Sequence, residues 1–164
     1  MTEAKFTAAA QQLVTLCTEK GVRVATAESC TGGMISAAIT GISGSSAVIE
    51  LGFCSYSNRI KQKMLGVSAE TLEKYTEYSV QCAAEMALGA KNAAEAEYAV
   101  STTGVAGPAG GSEQHPVGEV CIGVSSPKGT RAERFVFGGD RNEIRRQAAS
   151  MAIEMLIAEV KTTS

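Results

Sequence analysis

The sequence contains no tryptophan, four phenylalanines, four tyrosines, three prolines and a single histidine. With so few large rings the core must be filled by aliphatic and small side chains, and 17 glycines point to close approach of backbones. The lone His115 lies between Gln114 and Pro116 in a loop-like stretch, which gives a serine-histidine triad poor support. No CxxC or HxxxH spacing occurs, so no protein-built metal site is expected. No apolar run is long enough to cross a bilayer, and no membrane partner is expected. The amino terminus lacks the basic start and apolar run of a signal peptide, which implies a cytoplasmic protein. A net charge of −2, with basic residues scattered apart from a trio at 141, 145 and 146, argues against a nucleic-acid partner.

What is present is an ordinary globular composition, 45% hydrophobic and 20% charged, and 164 residues suffice for one domain with one core over 1–164. The five cysteines, at 17, 30, 54, 82 and 121, are odd in number and widely spaced. They read as buried free thiols in a reducing compartment.

Along the chain, residues 3–20 show apolar spacing of a helix stopped by Gly21, and residues 22–27 read as a buried strand. A short helix over 34–39 follows, then a hydroxyl-rich loop over 41–46. A second strand is predicted near 51–57, a helix after Asn58, and a further helix capped by Ser68. Ser79 opens a helix with a stripe of small side chains at 83, 87, 90 and 94. Residues 98–104 read as a third strand, and runs over 117–125 and 131–137 joined by Pro127-Lys128-Gly129 read as a hairpin. Asp140 to Glu143 matches a capping box ahead of a long final helix. This order predicts an α/β sandwich with a mixed sheet of about five strands and helices on both faces, because early parallel strands need helical crossovers whereas a hairpin is antiparallel. In such sheets ligands bind at the carboxyl ends of strands. The turns at Ser29, Ser57 and Gly104 would then converge.

Three constellations bear on chemistry. In Glu28-Ser29-Cys30-Thr31-Gly32-Gly33 a strand ends on a carboxylate and hydroxyls. The first-turn amides of Thr31, Gly32 and Gly33 could face an anion or a developing oxyanion. The structural alternative is that Ser29 or Thr31 caps the helix, Glu28 binds backbone amides and the glycines permit close packing. Ser29 would need a base, and Lys61, with Tyr56 to relay a proton or orient it, could serve if burial lowers its pKa. Otherwise Lys61 is a solvated helix residue and Tyr56 a core ring. Ser45 and Ser46 could join a serine-lysine arrangement or simply form a turn. Arg141 and Arg145, four apart on one face at a helix start, suit a phosphate, although pairing with Glu143 is the simpler account. The loop from Thr103 and Gly104 through Gly107 to Gly111 lets backbone approach a ligand but matches no dinucleotide or Walker fingerprint.

Taken together, Ala27-Glu28-Ser29-Cys30-Thr31-Gly32-Gly33, Gly44-Ser45-Ser46, Tyr56-Ser57-Asn58 with Lys61, Gly104-Val105-Ala106-Gly107-Pro108 with Gly110-Gly111, Pro116-Val117-Gly118 and Gly139-Asp140-Arg141 with Arg145-Arg146-Gln147-Ala148 resemble the CinA carboxy-terminal family over nearly the whole chain. Members include amidohydrolases that convert nicotinamide mononucleotide to nicotinic acid mononucleotide and ammonia. The resemblance implies that reaction, a three-layer α/β/α sandwich with a mixed, mostly parallel sheet, no metal or cofactor, and a homo-oligomer. It implies Ser29 as nucleophile and Lys61 as base, with Tyr56, Ser46 and Thr103 in support. Many members carry a further domain resembling a molybdopterin-binding fold, and activity tied to that domain is not carried over. Two other readings stay open: a non-catalytic module that binds a nucleotide, and a structural oligomerisation domain.

Overall fold

In the computed structural model, which describes residues 2–162, a five-stranded sheet of order β2-β1-β3-β4-β5 lies between two helical layers. The elements in chain order are α1 (Glu3–Lys20), β1 (Val24–Glu28), α2 (Met34–Thr40), β2 (Ile49–Cys54), α3 (Asn58–Leu65), α4 (Ala69–Tyr75), α5 (Val80–Ala94), β3 (Tyr98–Gly104), β4 (Glu119–Ser126), β5 (Gly129–Val136) and α6 (Arg141–Thr162). β1 pairs in parallel with both β2 and β3, and the sheet turns antiparallel through β3-β4 and β4-β5. The mixed sandwich predicted from element order is therefore the observed one. β1 and β4 are buried throughout and β3 at all but its last residue, Gly104, as central strands covered on both faces must be.

Local signals account for the ends of the elements. The hydroxyls of Ser57, Ser68 and Ser79 each accept an amide in the first turn of α3, α4 and α5, which satisfies donors that the helix itself cannot. Asp140 Oδ1 accepts from the amides of Asn142 and Glu143 while Glu143 Oε2 accepts from the Asp140 amide, a complete capping box. Pro127 and Lys128 alone join β4 to β5.

One helical layer consists of α1, α2 and α6, and the larger core fills the space between them and the sheet, with Leu13, Ile35, Ile39, Ile122, Ile153 and Leu156 wholly buried. On the other face α5 lies across the sheet with α3 and α4 against it, over a thinner core rich in alanine. That approach is close: a Cβ on Gly123 of β4 would fall 2.3 Å from the Ala83 carbonyl oxygen of α5. The small-residue stripe thus does what its spacing implies.

Two expectations are corrected. β2 ends at Cys54 rather than continuing to Ser57, because Ser57 is committed to capping α3. The five cysteines are all free, but Cys54, at the end of an edge strand, is exposed while the other four are buried.

Candidate active site

The carboxyl ends of β1, β2 and β3 point to the same edge of the sheet, and the segments that follow them line a cavity of about 400 Å³. Ser29, Tyr56, Lys61, Gly104, Gly107 and Arg141 all border it. The three turns do converge.

The turn after β1 is held from below. Glu28 is fully buried, yet its two carboxylate oxygens accept from the amides of Gly33, Ile35 and Ser36 and from the hydroxyls of Thr31 and Ser36, at 2.7–3.0 Å. Five donors replace the water that this charge has lost. Glu28 is thus the structural member of the constellation, binding the start of α2 to the strand, and Thr31 joins it to β3 through Thr102 at 2.7 Å. Ser29 is left half-buried at the cavity wall, with its own amide anchored on the Thr102 carbonyl.

Lys61 comes from the first turns of α3 and is buried, with 2% of its surface exposed. Its Nζ lies 3.0 Å from Ser29 Oγ and donates to the Ser55 carbonyl at 3.1 Å. Burial lowers the lysine pKa from its ordinary 10.5, against an opposing pull from Cys82, Glu77 and Cys30, so more of the amine is neutral at a given pH than on a solvated lysine. Burial pushes the neighbouring Cys30 thiol up to about 12, which leaves it protonated and a poor nucleophile.

The structure redistributes the remaining residues. Tyr56 is 63% exposed and its hydroxyl accepts from Arg141 at 3.0 Å rather than meeting Lys61. Arg141 also donates to the Gly107 carbonyl at 2.6 Å and so stands at the rim beside the glycine-rich loop. Arg145 does not line the cavity: its Nε and Nη2 donate to the carbonyls of Cys30 and Thr31, each at 3.0 Å. It fastens α6 to the back of the Ser29 turn, and Gly32 leaves it room, since a Cβ there would lie 3.2 Å from Nη2. The Gly32 amide is taken by the Ser29 carbonyl and the Gly33 amide by Glu28. Of the amides considered as anion donors, that leaves Thr31, and Cys30 beside it.

Gly104 admits no side chain, because its Cβ would fall 2.2 Å from the Glu119 carbonyl oxygen. Thr103 is buried and donates to the Glu77 carbonyl at 2.6 Å. Ser46 lies in a 3₁₀ turn before β2, at the opposite edge of the sheet and about 17 Å of strand away from the cavity. The structure does not bring it to the site.

Glu77 and Tyr78, which also line the cavity, were not foreseen. They fall between α4 and the Ser79 cap, and nothing in their spacing says that this link returns to β3. His115, the lone histidine, sits behind them, with Nδ1 3.1 Å from Glu119 Oε1 and its ring 5.4 Å from that of Tyr78. Among the described residues no cluster of three His, Cys, Asp or Glu side chains is arranged to hold a metal ion, and no helix is long and apolar enough to cross a membrane.

A three-layer α/β/α fold with a serine-lysine pair at the carboxyl edge of its sheet is the class that the structure defines. A profile of the family described as the CinA C-terminal domain matches residues 6–160. The chain is 45% identical over 157 residues to the nicotinamide-nucleotide amidohydrolase PncC of Escherichia coli (strain K12), covering 95% of each chain. It is 44% identical to a CinA-like protein of Fervidobacterium nodosum, over 86% of this chain but 35% of that longer one. Among solved structures, the competence/damage inducible protein CihA from Agrobacterium tumefaciens superposes with a TM-score of 0.95 at 41% identity over 99% of both chains. The chain belongs to the CinA C-terminal domain family.

Proposed function

We propose that this chain is an amidohydrolase that converts nicotinamide mononucleotide to nicotinic acid mononucleotide and ammonia, with Ser29 as nucleophile and Lys61 as base. The observation that carries the reading is the 3.0 Å contact between the two side chains at the wall of a cavity whose rim holds an arginine. A neutral Lys61 keeps an N–H on the Ser55 carbonyl and turns its lone pair to the Ser29 hydroxyl. As Ser29 Oγ attacks the carboxamide carbon, its proton passes to Nζ. The carbonyl oxygen takes the negative charge, and the Cys30 and Thr31 amides, next in the chain after the nucleophile, receive it. The C–N bond then breaks, Lys61 returns the proton to the leaving nitrogen, and ammonia departs. Water, deprotonated by the same amine, cleaves the acyl ester and restores the serine. Arg141 binds the phosphate, and the loop over 104–110 borders the ribose.

The names of the close relatives support the substrate. The family match over 6–160 supports residues 1–164 acting as one catalytic domain. Free cysteines and exposed Tyr56, Met64, Leu88 and Val136 support a homo-oligomer working in the cytoplasm. The test is ammonia release from nicotinamide mononucleotide. Wild type should release it, and Ser29→Ala should retain no more than about 10⁻⁴ of the rate; a serine variant with full activity overturns the mechanism.

A further inference from the structure

Resting on the reading of this site as one that takes a nicotinamide nucleotide, we infer that Glu77 is the residue that selects the oxidised, positively charged nicotinamide ring over its neutral dihydro form. The cavity wall carries two basic side chains and one acidic one: Lys61 beside the serine, Arg141 at the rim, and Glu77 on the link between α4 and α5. Each positive group has its hydrogen-bond acceptors within the protein, on Ser55 for the lysine and on Gly107 and Tyr56 for the arginine. Glu77 differs in kind: its carboxylate takes a hydrogen bond from the neutral Tyr78 hydroxyl and its charge acts on Lys61 from a distance, but among the described residues it forms no ion pair, although it is half-buried in a wall shared with two cations.

The backbone around it is held in place. Thr103, buried in β3, donates to the Glu77 carbonyl at 2.6 Å, the Tyr78 amide donates to Thr76 Oγ1 at 3.2 Å, and the Ser79 hydroxyl donates to the Thr76 carbonyl at 2.8 Å. Thr76 itself combines a positive φ of 68° with ψ 171°, a backbone region that a threonine adopts only when its surroundings enforce it. A carboxylate carried on such a link, with no ion-pair partner in contact, is a site for a cation. The ligand chemistry supplies one. In the oxidised nucleotide the ring nitrogen is quaternary and the carboxamide is attached to the same ring. An amide carbon placed at Ser29 therefore brings the positive ring into the cavity that Glu77 lines, while the phosphate reaches toward Arg141. Tyr78, also on the wall, offers an aromatic surface suited to the same cation. The reduced nucleotide has the same amide, ribose and phosphate but no ring charge, and it draws nothing from Glu77.

The test measures binding of nicotinamide mononucleotide and of its dihydro form by calorimetry, and ammonia release from each, for wild type, Glu77→Gln and Glu77→Asp. Wild type should bind the oxidised form more tightly. Glu77→Gln should weaken that binding by about tenfold, the effect of a partly screened ion pair, while changing the dihydro form by less than about twofold. Glu77→Asp, which keeps the charge, should retain most of the preference. Equal losses for both forms, or no loss for either, overturn the inference, as does wild type that binds neither. If wild type binds with the expected preference but releases no ammonia, the amidohydrolase reading fails while the selection by Glu77 stands.

Discussion

Lys61 Nζ stands 3.0 Å from Ser29 Oγ, although 32 positions separate the two residues in the chain. The contact exists because β1 and β2 run parallel, so the turn after one and the helix after the other emerge at the same edge. Its use as a base depends on the amine's charge. Burial places the Lys61 pKa below 10.5, and only the neutral amine can take the serine proton. Activity should therefore rise with pH through that lowered pKa and then level off. Lys61→Arg keeps the positive charge but cannot deprotonate in this range; it should cost at least about 10³-fold in kcat/KM and abolish the rise. A kcat/KM profile over pH checks both, and an unchanged limb in the arginine variant would assign it to another group.

The two arginines on one face of α6 should separate cleanly in function. Arg141 is exposed at the rim, so Arg141→Ala should raise KM by about tenfold or more, the loss of a charged hydrogen bond, with a smaller fall in kcat. Arg145 spends its guanidinium on the Cys30 and Thr31 carbonyls. Arg145→Ala should lower stability by about 2 kcal/mol and reduce kcat by loosening the turn that carries Ser29. Steady-state kinetics beside denaturant titration distinguishes the two patterns.

Glu28→Gln should destabilise the fold by about 3 kcal/mol, because in either orientation the amide NH₂ would face at least one backbone N–H, which can only donate. The carboxylate now receives three amides and two hydroxyls. Urea denaturation measures the loss, which should greatly exceed that of a Glu→Gln change at exposed Glu70.

Acid stability should depend on Glu119. Its carboxylate is almost fully buried, and burial alone would raise its pKa, but hydrogen bonds and charge from Arg134 and His115 outweigh that and hold it below 4.5. A carboxyl that ionises more readily when folded stabilises the native state above its unfolded pKa, and that contribution is lost as pH falls through the lowered folded value. Arg134→Ala should move the acid-unfolding midpoint upward, read by circular dichroism across the acid range.

Much of the site was legible in the chain, and the failures share a cause. Ser29, Lys61 and the glycine-rich loop stood out because a strand-to-helix turn, a lysine following a capped start and a run of small residues are each written within a few positions. Glu77 was illegible for the opposite reason: its place in the cavity comes from a hydrogen bond to Thr103, 26 positions away, while its neighbours describe only a link between two helices. Tyr56 and Arg145 were recognised as residues of interest, yet their partners, Arg141 and the carbonyls at 30 and 31, lie on elements whose approach no periodicity encodes.

Caps, turn residues and the alternation of helical and extended runs are local matters of backbone preference and hydrogen bonding, so the sequence alone determined the elements, their order and the hairpin. Which polar groups meet was decided only by the tertiary structure. Strand order and the packing of two helical layers set the distances between remote side chains. Burial, which gives Glu28 its five donors and makes Lys61 a weaker base to protonate, exists only once those layers close over the sheet.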